Sequence, residues 1–325
     1  MKRTVFLLSI LAIVGMIISC VDDDKDISTI PQEVPDVPLE NYIFTTNFEV
    51  PTKEGNNTVV TYNGEVIYEG NYPTTLQIPK LTATTTRNSG LDWHFVPNNS
   101  SGNAWHYQIS RSGILMFEDI PNGDNDYNDF VCRMEEQFQV NLDGNGNIRT
   151  ENGLGLEFSK LGIYPIAMGN TLPLKLGVEI VNLATGGFID DIIIFNDVRQ
   201  ECFDGVDSYI NTDPTLEKFN TYNRNYFKFG GVNTIRYYPA IKENEFAINY
   251  YIMVNNVKYY TADSSKALAT TNKVPYGLFI PNMQSFKYPI EKTSIFEAYP
   301  NLGKWLKGDD LDPFANPNTS LLYNK

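Results

Sequence analysis

Short segments rich in Val, Ile, Tyr and Thr alternate with polar turns along most of the chain, and this pattern constrains the fold more than any other feature. In "TVVTYNGEVIYEG" (58–70), Asn63-Gly64 supplies the two positive-φ positions of a type I′ turn, which predicts a β-hairpin. The strand-like segments "EFAINYYIMV" and "VKYYT" are joined in the same way at Asn255-Asn256. The alternation therefore predicts antiparallel β structure along most of the chain.

The clearest helical pattern lies in "EKTSIFEAYPNLGKWLKG" (291–308), where Pro300 is expected to break or restart a helix. Four apolar residues share one helical face there: Ile295, Tyr299, Leu302 and Leu306. We predict a mainly β protein, in which a small Ig-like β-module precedes a larger antiparallel β-sandwich of the jelly-roll type with a short C-terminal helix.

Composition divides the chain into four predicted segments. Residues 1–19 are predicted to be an export signal, and residues 20–40 a tether, because acidic residues and prolines dominate there and cannot bury a core. Residues 41–110 form the predicted small β-module. Residues 111–325 form the predicted larger sandwich.

The N-terminus has a basic start, Lys2-Arg3, and an apolar run, "VFLLSILAIVGMII", shorter than the roughly 20 residues that span a bilayer. The junction "IISC" followed by "VDDDKD" resembles a bacterial lipobox, in which Cys20 becomes acylated. The acidic residues after it resemble the surface-export signals of Bacteroidota lipoproteins. We expect an outer-membrane, lipid-anchored protein exposed on the cell surface, with a simple membrane anchor or a cleaved secretory signal as the alternatives.

The formal net charge of −14 argues against nucleic acid as a partner, because nucleic-acid binding depends on clustered Lys and Arg. An acidic chain is typical of a soluble surface protein or of a protein that collects cations. Beyond Cys20, the cysteines are Cys132 and Cys202, which could pair in an oxidising compartment. Cys132 lies in a strand-like alternation, which favours a buried thiol.

Carboxylate and amide side chains are most closely spaced in "GILMFEDIPNGDNDYNDFVCRMEE" (113–136). Its alternating Asp and Asn residues match the D-x-D-x-N opening of many calcium loops, and Ca²⁺ takes about six to eight oxygen ligands. An EF-hand is excluded because Asp129 replaces the required Gly and a strand pattern follows, although Glu135 falls where the bidentate glutamate would lie. A solvated turn and a carboxylate pair for acid–base catalysis are the alternatives. The predicted calcium ligands are Asp124, Asp126, Asn128 and Asp129, with Glu118, Asp119 and Glu135 as possible supports.

Three stretches resemble the LruC-domain family of bacterial surface and outer-membrane lipoproteins. "LMFEDIPNGDNDYNDFV" is similar to its F-E-D…G-D-x-D-x-N-D signature, and "ENGLGLEF" to its N-G-F-G-x-x-L segment, with Leu154 in place of Phe. "VPYGLFIPNMQSFKYPIEKTSIFEAYPNLGKW" is similar to the family's C-terminal pattern, with Val274 and Tyr276 in place of Leu and Trp. The resemblance covers residue 111 onwards. It implies a calcium-binding role for the Asp/Asn run and no established activity.

Each histidine directly follows a tryptophan, in Trp93-His94 and Trp105-His106. If the intervening polar loop closes a hairpin, an aromatic strip forms there that could stack against a sugar, or that simply packs across the strands. Zinc would need further ligands, and two histidines leave little material for acid–base catalysis at neutral pH.

The sequence therefore favours a non-enzymatic binding or structural role at the bacterial envelope, with calcium as a structural ion. The expected partners are the membrane, through the lipid, and a surface glycan or envelope protein. The alternative is a glycan-capture component or a carbohydrate-active enzyme that uses the acidic run and the Trp-His pairs.

Acylation of Cys20 is the most direct prediction from the sequence alone. In cells fed an alkyne fatty acid such as a palmitate analogue, the wild-type chain should carry the label and Cys20→Ala should not, because the lipid is attached at Cys20. In-gel fluorescence measures the incorporation. Equal labelling of both proteins would contradict the lipoprotein assignment.

Overall fold

The computed structural model describes residues 34–80, 90–98, 106–119, 121–143, 145, 156–170, 172–183, 185, 187–203, 205, 236–238, 246–283 and 286–323. Cys20, Trp105 and the predicted signal segment lie outside these residues. Within them, no helix combines the length and apolar composition needed to cross a membrane.

The described part of the chain is mainly β, and every strand pair is antiparallel. The strands are β1 (Thr45–Glu49), β2 (Asn56–Tyr62), β3 (Glu65–Gly70), β4 (Thr75–Pro79), β5 (Leu91–Pro97), β6 (His106–Phe117), β7 (Phe130–Asn141), β8 (Leu156–Ala167), β9 (Lys175–Asn182), β10 (Phe188–Phe195), β11 (Arg236–Tyr238), β12 (Phe246–Val254), β13 (Val257–Tyr260) and β14 (Gly277–Pro281). The helices are α1 (Val198–Phe203), α2 (Ile295–Ala298) and α3 (Pro300–Leu306), with 3₁₀ turns at Leu39–Tyr42 and Thr319–Leu321. The predicted mainly β, antiparallel fold with a short C-terminal helix is confirmed.

The largest sheet has the strand order β11-β8-β7-β6-β3-β2-β5, and β14 also pairs with β6. A second sheet has the order β10-β9-β12-β13, and β1 pairs with β4 in a small third sheet. The predicted boundary between residues 110 and 111 falls inside β6. The strands on its two sides therefore share one sheet.

Residues with positive φ close the two predicted hairpins. Asn63 (φ 51°) and Gly64 (φ 84°) join β2 to β3, and Asn255 (φ 50°) and Asn256 (φ 63°) join β12 to β13. Both positions of a type I′ turn need positive φ, which Asn and Gly tolerate better than other residues. Both predicted turns are confirmed.

The C-terminal helical segment is divided at the predicted proline. The side chain of Ser294 caps α2 by accepting a hydrogen bond from the Phe296 backbone N–H at 3.2 Å. Pro300 then occupies the first turn of α3, where its missing N–H costs nothing. Ile295 and Leu302 are fully buried, which fixes both helices on the body of the protein.

Alternation along β6 and β7 sends side chains into two separate cores. Leu115 and Phe117 pack between the largest sheet and the sheet built on β9 and β12, while Ile114 and Met116 pack on the opposite face with the C-terminal helices. On β7, Val131 joins this second core. The ends of β6 and β7 are therefore buried on both faces, and the loop that joins them starts and finishes inside the protein.

Cys132 and Cys202 are both buried and unbridged. Cys132 contributes to the core between the sheets, as the strand alternation indicated. Burial raises the pKa of both thiols, which keeps them protonated and unreactive.

A buried carboxylate connects the two large sheets. Glu136 lies at one of the alternating positions of β7 that face the core, between Met134 and Phe138. It accepts hydrogen bonds from the Tyr250 hydroxyl on β12, at 2.7 Å, and from Nε of Arg111 on β6. The charged pair and the hydroxyl together satisfy a side chain that is fully buried.

We expect Glu136→Gln to lower the free energy of unfolding by about 2 kcal/mol, because it removes charged hydrogen bonds in a buried position. The adjacent Glu135→Gln is the matched control and should cost under about 1 kcal/mol, since its pairing with Arg133 is partly exposed. Urea unfolding measures both values. Equal losses would show that the connection between the sheets contributes no more than a surface pair.

Candidate metal centre

The β6–β7 loop, residues 118–129, carries the acidic run. The last paired residues before and after it are Phe117 and Phe130, both fully buried. Glu118 begins the loop, and its backbone N–H donates to the Tyr276 carbonyl at 2.8 Å. Because the flanking strands are buried on both faces, the loop carries its carboxylates into the protein interior.

Two residues in the left-handed region turn the loop on itself. Asn125 has φ 60° and Tyr127 has φ 55°. A tyrosine in this conformation needs supporting contacts. The Tyr127 N–H donates to Glu118 Oε1 at 2.6 Å, and its hydroxyl donates to the Pro275 carbonyl at 2.7 Å. These bonds hold Tyr127 buried and bring the Asp residues on either side of Asn125 close to Glu118.

Three carboxylates converge in this loop. Oxygen atoms of Glu118, Asp124 and Asp126 all lie within 4.8 Å of one another. Glu118 and Asp126 are at most 1% exposed, and Asp124 is half-buried. Asp126 accepts backbone N–H bonds from Asn128 at 3.1 Å and from Lys292 at 2.9 Å, which fix its position.

Two buried oxygens of the same loop have no hydrogen-bond partner in the described part of the chain. They are Oε2 of Glu118 and Oδ1 of Asn128. The amide nitrogen of Asn128 is occupied, because it donates to the Pro289 carbonyl at 3.2 Å. Buried polar atoms in proteins almost always have a partner, so these two oxygens are the atoms of the loop best placed to accept one.

Two residues of the cluster lie far away in sequence and were not predicted. A Cβ placed on Gly169 would lie 2.1 Å from Asn128 Oδ1 and 2.8 Å from Glu291 Oε2, so these oxygens and the Gly169 backbone are in close contact. The Gly169 N–H also donates to the Asn128 carbonyl at 2.8 Å. Glu291 follows Pro289 in the "YPIE" part of the family-like C-terminal stretch, and that pattern was the available signal for it.

Asp119 and Asp129, also predicted at the site, interact mainly with each other. The Asp119 N–H donates to Asp129 Oδ2 at 2.7 Å, and Asn170 Nδ2 donates to Asp119 Oδ2 at 2.8 Å. Neither belongs to the group of three carboxylates within 4.8 Å. Their positions fit support of the loop better than direct ligation by both.

Glu135 lies apart from the cluster. It is on β7, five residues after Phe130, where it pairs with Arg133 at 2.9 Å and accepts from the Tyr164 hydroxyl at 3.2 Å. The spacing that suggested Glu135 is that of an EF-hand, in which a helix follows the loop. Here a strand follows the loop instead.

Burial and mutual repulsion shift the protonation of the cluster. Burial, and then the charge of Asp124, raises the pKa of Glu118 to about 8. Burial, and then the charge of Glu118, raises the pKa of Asp126 well above its usual value. Glu291 adds to the repulsion on both carboxyl groups. At neutral pH the cluster therefore favours either bound protons or a bound cation.

The predicted Trp-His hairpin is wrong. β5 pairs with β2, which places Trp93 opposite Val60, whereas β6 places His106 opposite Asn141. The β2–β3 hairpin offers two free edges, and β5 takes one while β6 takes the other. Trp93 is 41% exposed and packs edge-to-face on Phe95 at 5.2 Å between ring centroids. His94 and His106 are exposed, on strands separated by β2 and β3.

Comparisons with known proteins assign no activity. Residues 254–311, which carry Glu291 and the helices α2 and α3, match the family described as "Domain of unknown function (DUF4842)". No curated protein matches the chain. A solved structure, that of a Bacteroides ovatus protein provisionally described as a lipoprotein, is similar over 84% of this chain and 94% of its own, with 12% identity and a TM-score of 0.45.

The raised pKa of Glu118 makes a prediction for the metal-free protein. The folded chain holds a proton that the unfolded chain releases near pH 4.5, so stability should fall as pH rises from about 5 to about 8. Glu118→Gln keeps the shape and removes the charge. In chelator it should exceed the wild type in unfolding free energy by at least about 1 kcal/mol at pH 8 and nearly equal it at pH 5. Parallel pH profiles from denaturant unfolding would contradict the buried-charge account.

Proposed function

We propose that the β6–β7 loop binds a calcium ion through Glu118, Asp124, Asp126 and Asn128, with Glu291 beside them. One observation carries this proposal. Buried oxygens of Glu118 and Asn128 have no hydrogen-bond partner among the described residues, and the Glu118 carboxylate lies within 4.8 Å of two further carboxylates. A cation would satisfy these oxygens and offset the repulsion among the carboxylates at the same time.

The donor chemistry favours calcium over the common transition metals. Every candidate ligand offers a carboxylate or amide oxygen, and Ca²⁺ takes about six to eight such ligands in flexible geometry. Zinc prefers nitrogen and sulfur ligands. The described histidines, His94 and His106, lie on β5 and β6 and outside the loop.

The role of the ion in this proposal is structural. Three distant segments meet at the cluster: the β6–β7 loop, the turn at Gly169 and the stretch from Pro289 to Lys292. The N–H of Ile295, at the start of α2, also donates to the Asn125 carbonyl at 2.8 Å. An ion bound here would cross-link the second core and stabilise the whole β body.

The wider proposal is a lipid-anchored protein of the outer membrane, exposed on the cell surface, with a non-enzymatic binding or structural role. Its support is the N-terminal sequence, in which the apolar run ends at Cys20 and an acidic tether follows. A carbohydrate-active enzyme that uses the acidic loop is less well supported. Glu118 and Asp126 are at most 1% exposed, so a substrate could not reach them.

Calcium should raise the melting temperature of the wild-type chain, and a chelator should lower it. With a Kd of ~10 μM, ~1 mM calcium would add about 2.7 kcal/mol to the free energy of unfolding. Asp126→Asn should abolish the calcium response, because it removes a ligand charge while keeping the side-chain shape. Differential scanning fluorimetry measures the shift.

Asp309→Asn is the control for that experiment, because Asp309 is exposed and distant in sequence from the loop. It should respond to calcium like the wild type. A wild-type chain that melts at the same temperature with calcium and with chelator would end the proposal, even if the protein remains lipidated.

A further inference from the structure

A second feature of the molecule is a cleft of about 530 Å³, which we name the β6–β12 cleft. We call the lining residues of β6, β12 and β14 its floor, and those of β1 and β4 its opposite wall. Arg111, Asp263 and Phe279 are among the residues that line it. No residue of the calcium cluster lines it. Its volume lies within the roughly 300–1,000 Å³ of small-molecule sites.

The floor presents one cationic group that is only partly engaged. Arg111 donates through Nε to the buried Glu136, which fixes the guanidinium in place. In the described part of the chain its two terminal nitrogens have no acceptor, and the side chain keeps 22% exposure. The guanidinium also lies 6.0 Å from the ring centroid of Phe279. These contacts orient N–H donors before any ligand arrives.

A carboxylate accompanies this donor. Asp263 is exposed to solvent and lines the cleft, and the charge of Arg111 acts on it. The cleft therefore offers a partly engaged cationic donor and an accessible acceptor.

Charge limits the class of ligand. Glu136 pairs with Arg111, Asp263 and Glu49 each add a negative charge, and the lining residues include no lysine. A phosphate or another anion would meet a carboxylate with no spare cation. A hydroxylated neutral molecule has no such conflict, because each hydroxyl group both donates and accepts hydrogen bonds.

The opposite wall suits the same ligand class. Thr45, Asn47 and Gln77 line it with hydroxyl and amide groups. Apolar surface comes from Ile67 and Phe279, against which the C–H face of a sugar ring can pack. Planar polar side chains together with apolar surface match the two kinds of surface on a pyranose.

We propose that the β6–β12 cleft binds a neutral sugar residue, with Arg111 as the hydrogen-bond donor and Asp263 as the acceptor. This site is separate from the exposed Trp93 on β5, where the sequence suggested glycan contact. It does not depend on the calcium proposal, because no residue is shared between the two.

The test is saturation-transfer NMR on the full chain with a panel of neutral sugars: glucose, galactose, mannose, fucose, xylose, N-acetylglucosamine, N-acetylgalactosamine and their common disaccharides. At least one should bind, and titration should give its Kd. Asp263→Asn should weaken that binding at least tenfold. Asp309→Asn is the control and should leave the Kd unchanged. The melting temperature of Asp263→Asn should match the wild type, because the side chain is accessible.

Trp93→Ala distinguishes the two possible sugar surfaces. Retained binding in Trp93→Ala, with loss in Asp263→Asn, supports the cleft. Loss in Trp93→Ala with unchanged binding in a folded Asp263→Asn would overturn the proposal. Failure of the wild-type chain to bind any sugar of the panel would overturn it as well.

Discussion

The elements around the β6–β7 loop can pack together only if the charges of its buried carboxylates are balanced. β6 and β7 end between two cores, so the loop that joins them cannot leave the protein interior at either end. Glu118 and Asp126 are held there by backbone bonds from Tyr127, Asn128 and Lys292. Desolvation and mutual repulsion would force this loop outwards unless protons or a cation compensate. The C-terminal helices and the turn at Gly169 are built around the same point.

Buried carboxylates elsewhere show what the loop lacks. Glu136 is paired with Arg111 and Tyr250. Glu179, 1% exposed, accepts from Lys258 and Lys266 at 2.6 Å each and from the Tyr260 hydroxyl at 2.8 Å. In both places the chain provides its own cations. At the loop, Lys292 is the basic residue in the described part of the chain whose charge acts on the carboxylates. It lowers the pKa of Asp124, but burial raises that pKa by more. This contrast within one molecule is the strongest reason to expect a partner from outside the chain.

The sequence predicted features that are set by local chemistry. The Asn-Gly and Asn-Asn turns, the division of the C-terminal helix at Pro300 and the burial of Cys132 follow from φ preferences and strand alternation, and all are present. Long-range choices could not be predicted in this way. The alternation of β5 and β6 does not say which edge of the β2–β3 hairpin each strand takes, so the Trp-His pairing was wrong. Gly169 and Glu291 approach Asn128 only through the tertiary fold, and no spacing within the loop indicates them.

Calcium content decides whether the loop holds a cation. The protein would be stripped with chelator and brought to equilibrium by dialysis at neutral pH against calcium in buffered salt. Inductively coupled plasma mass spectrometry then measures the excess of calcium on the protein side, beside Asp126→Asn. We expect at least one calcium ion per wild-type chain and a clear loss in the variant. Calcium at background level in the wild type, or equal calcium in both proteins, would contradict a cation held by the buried carboxylates of the loop.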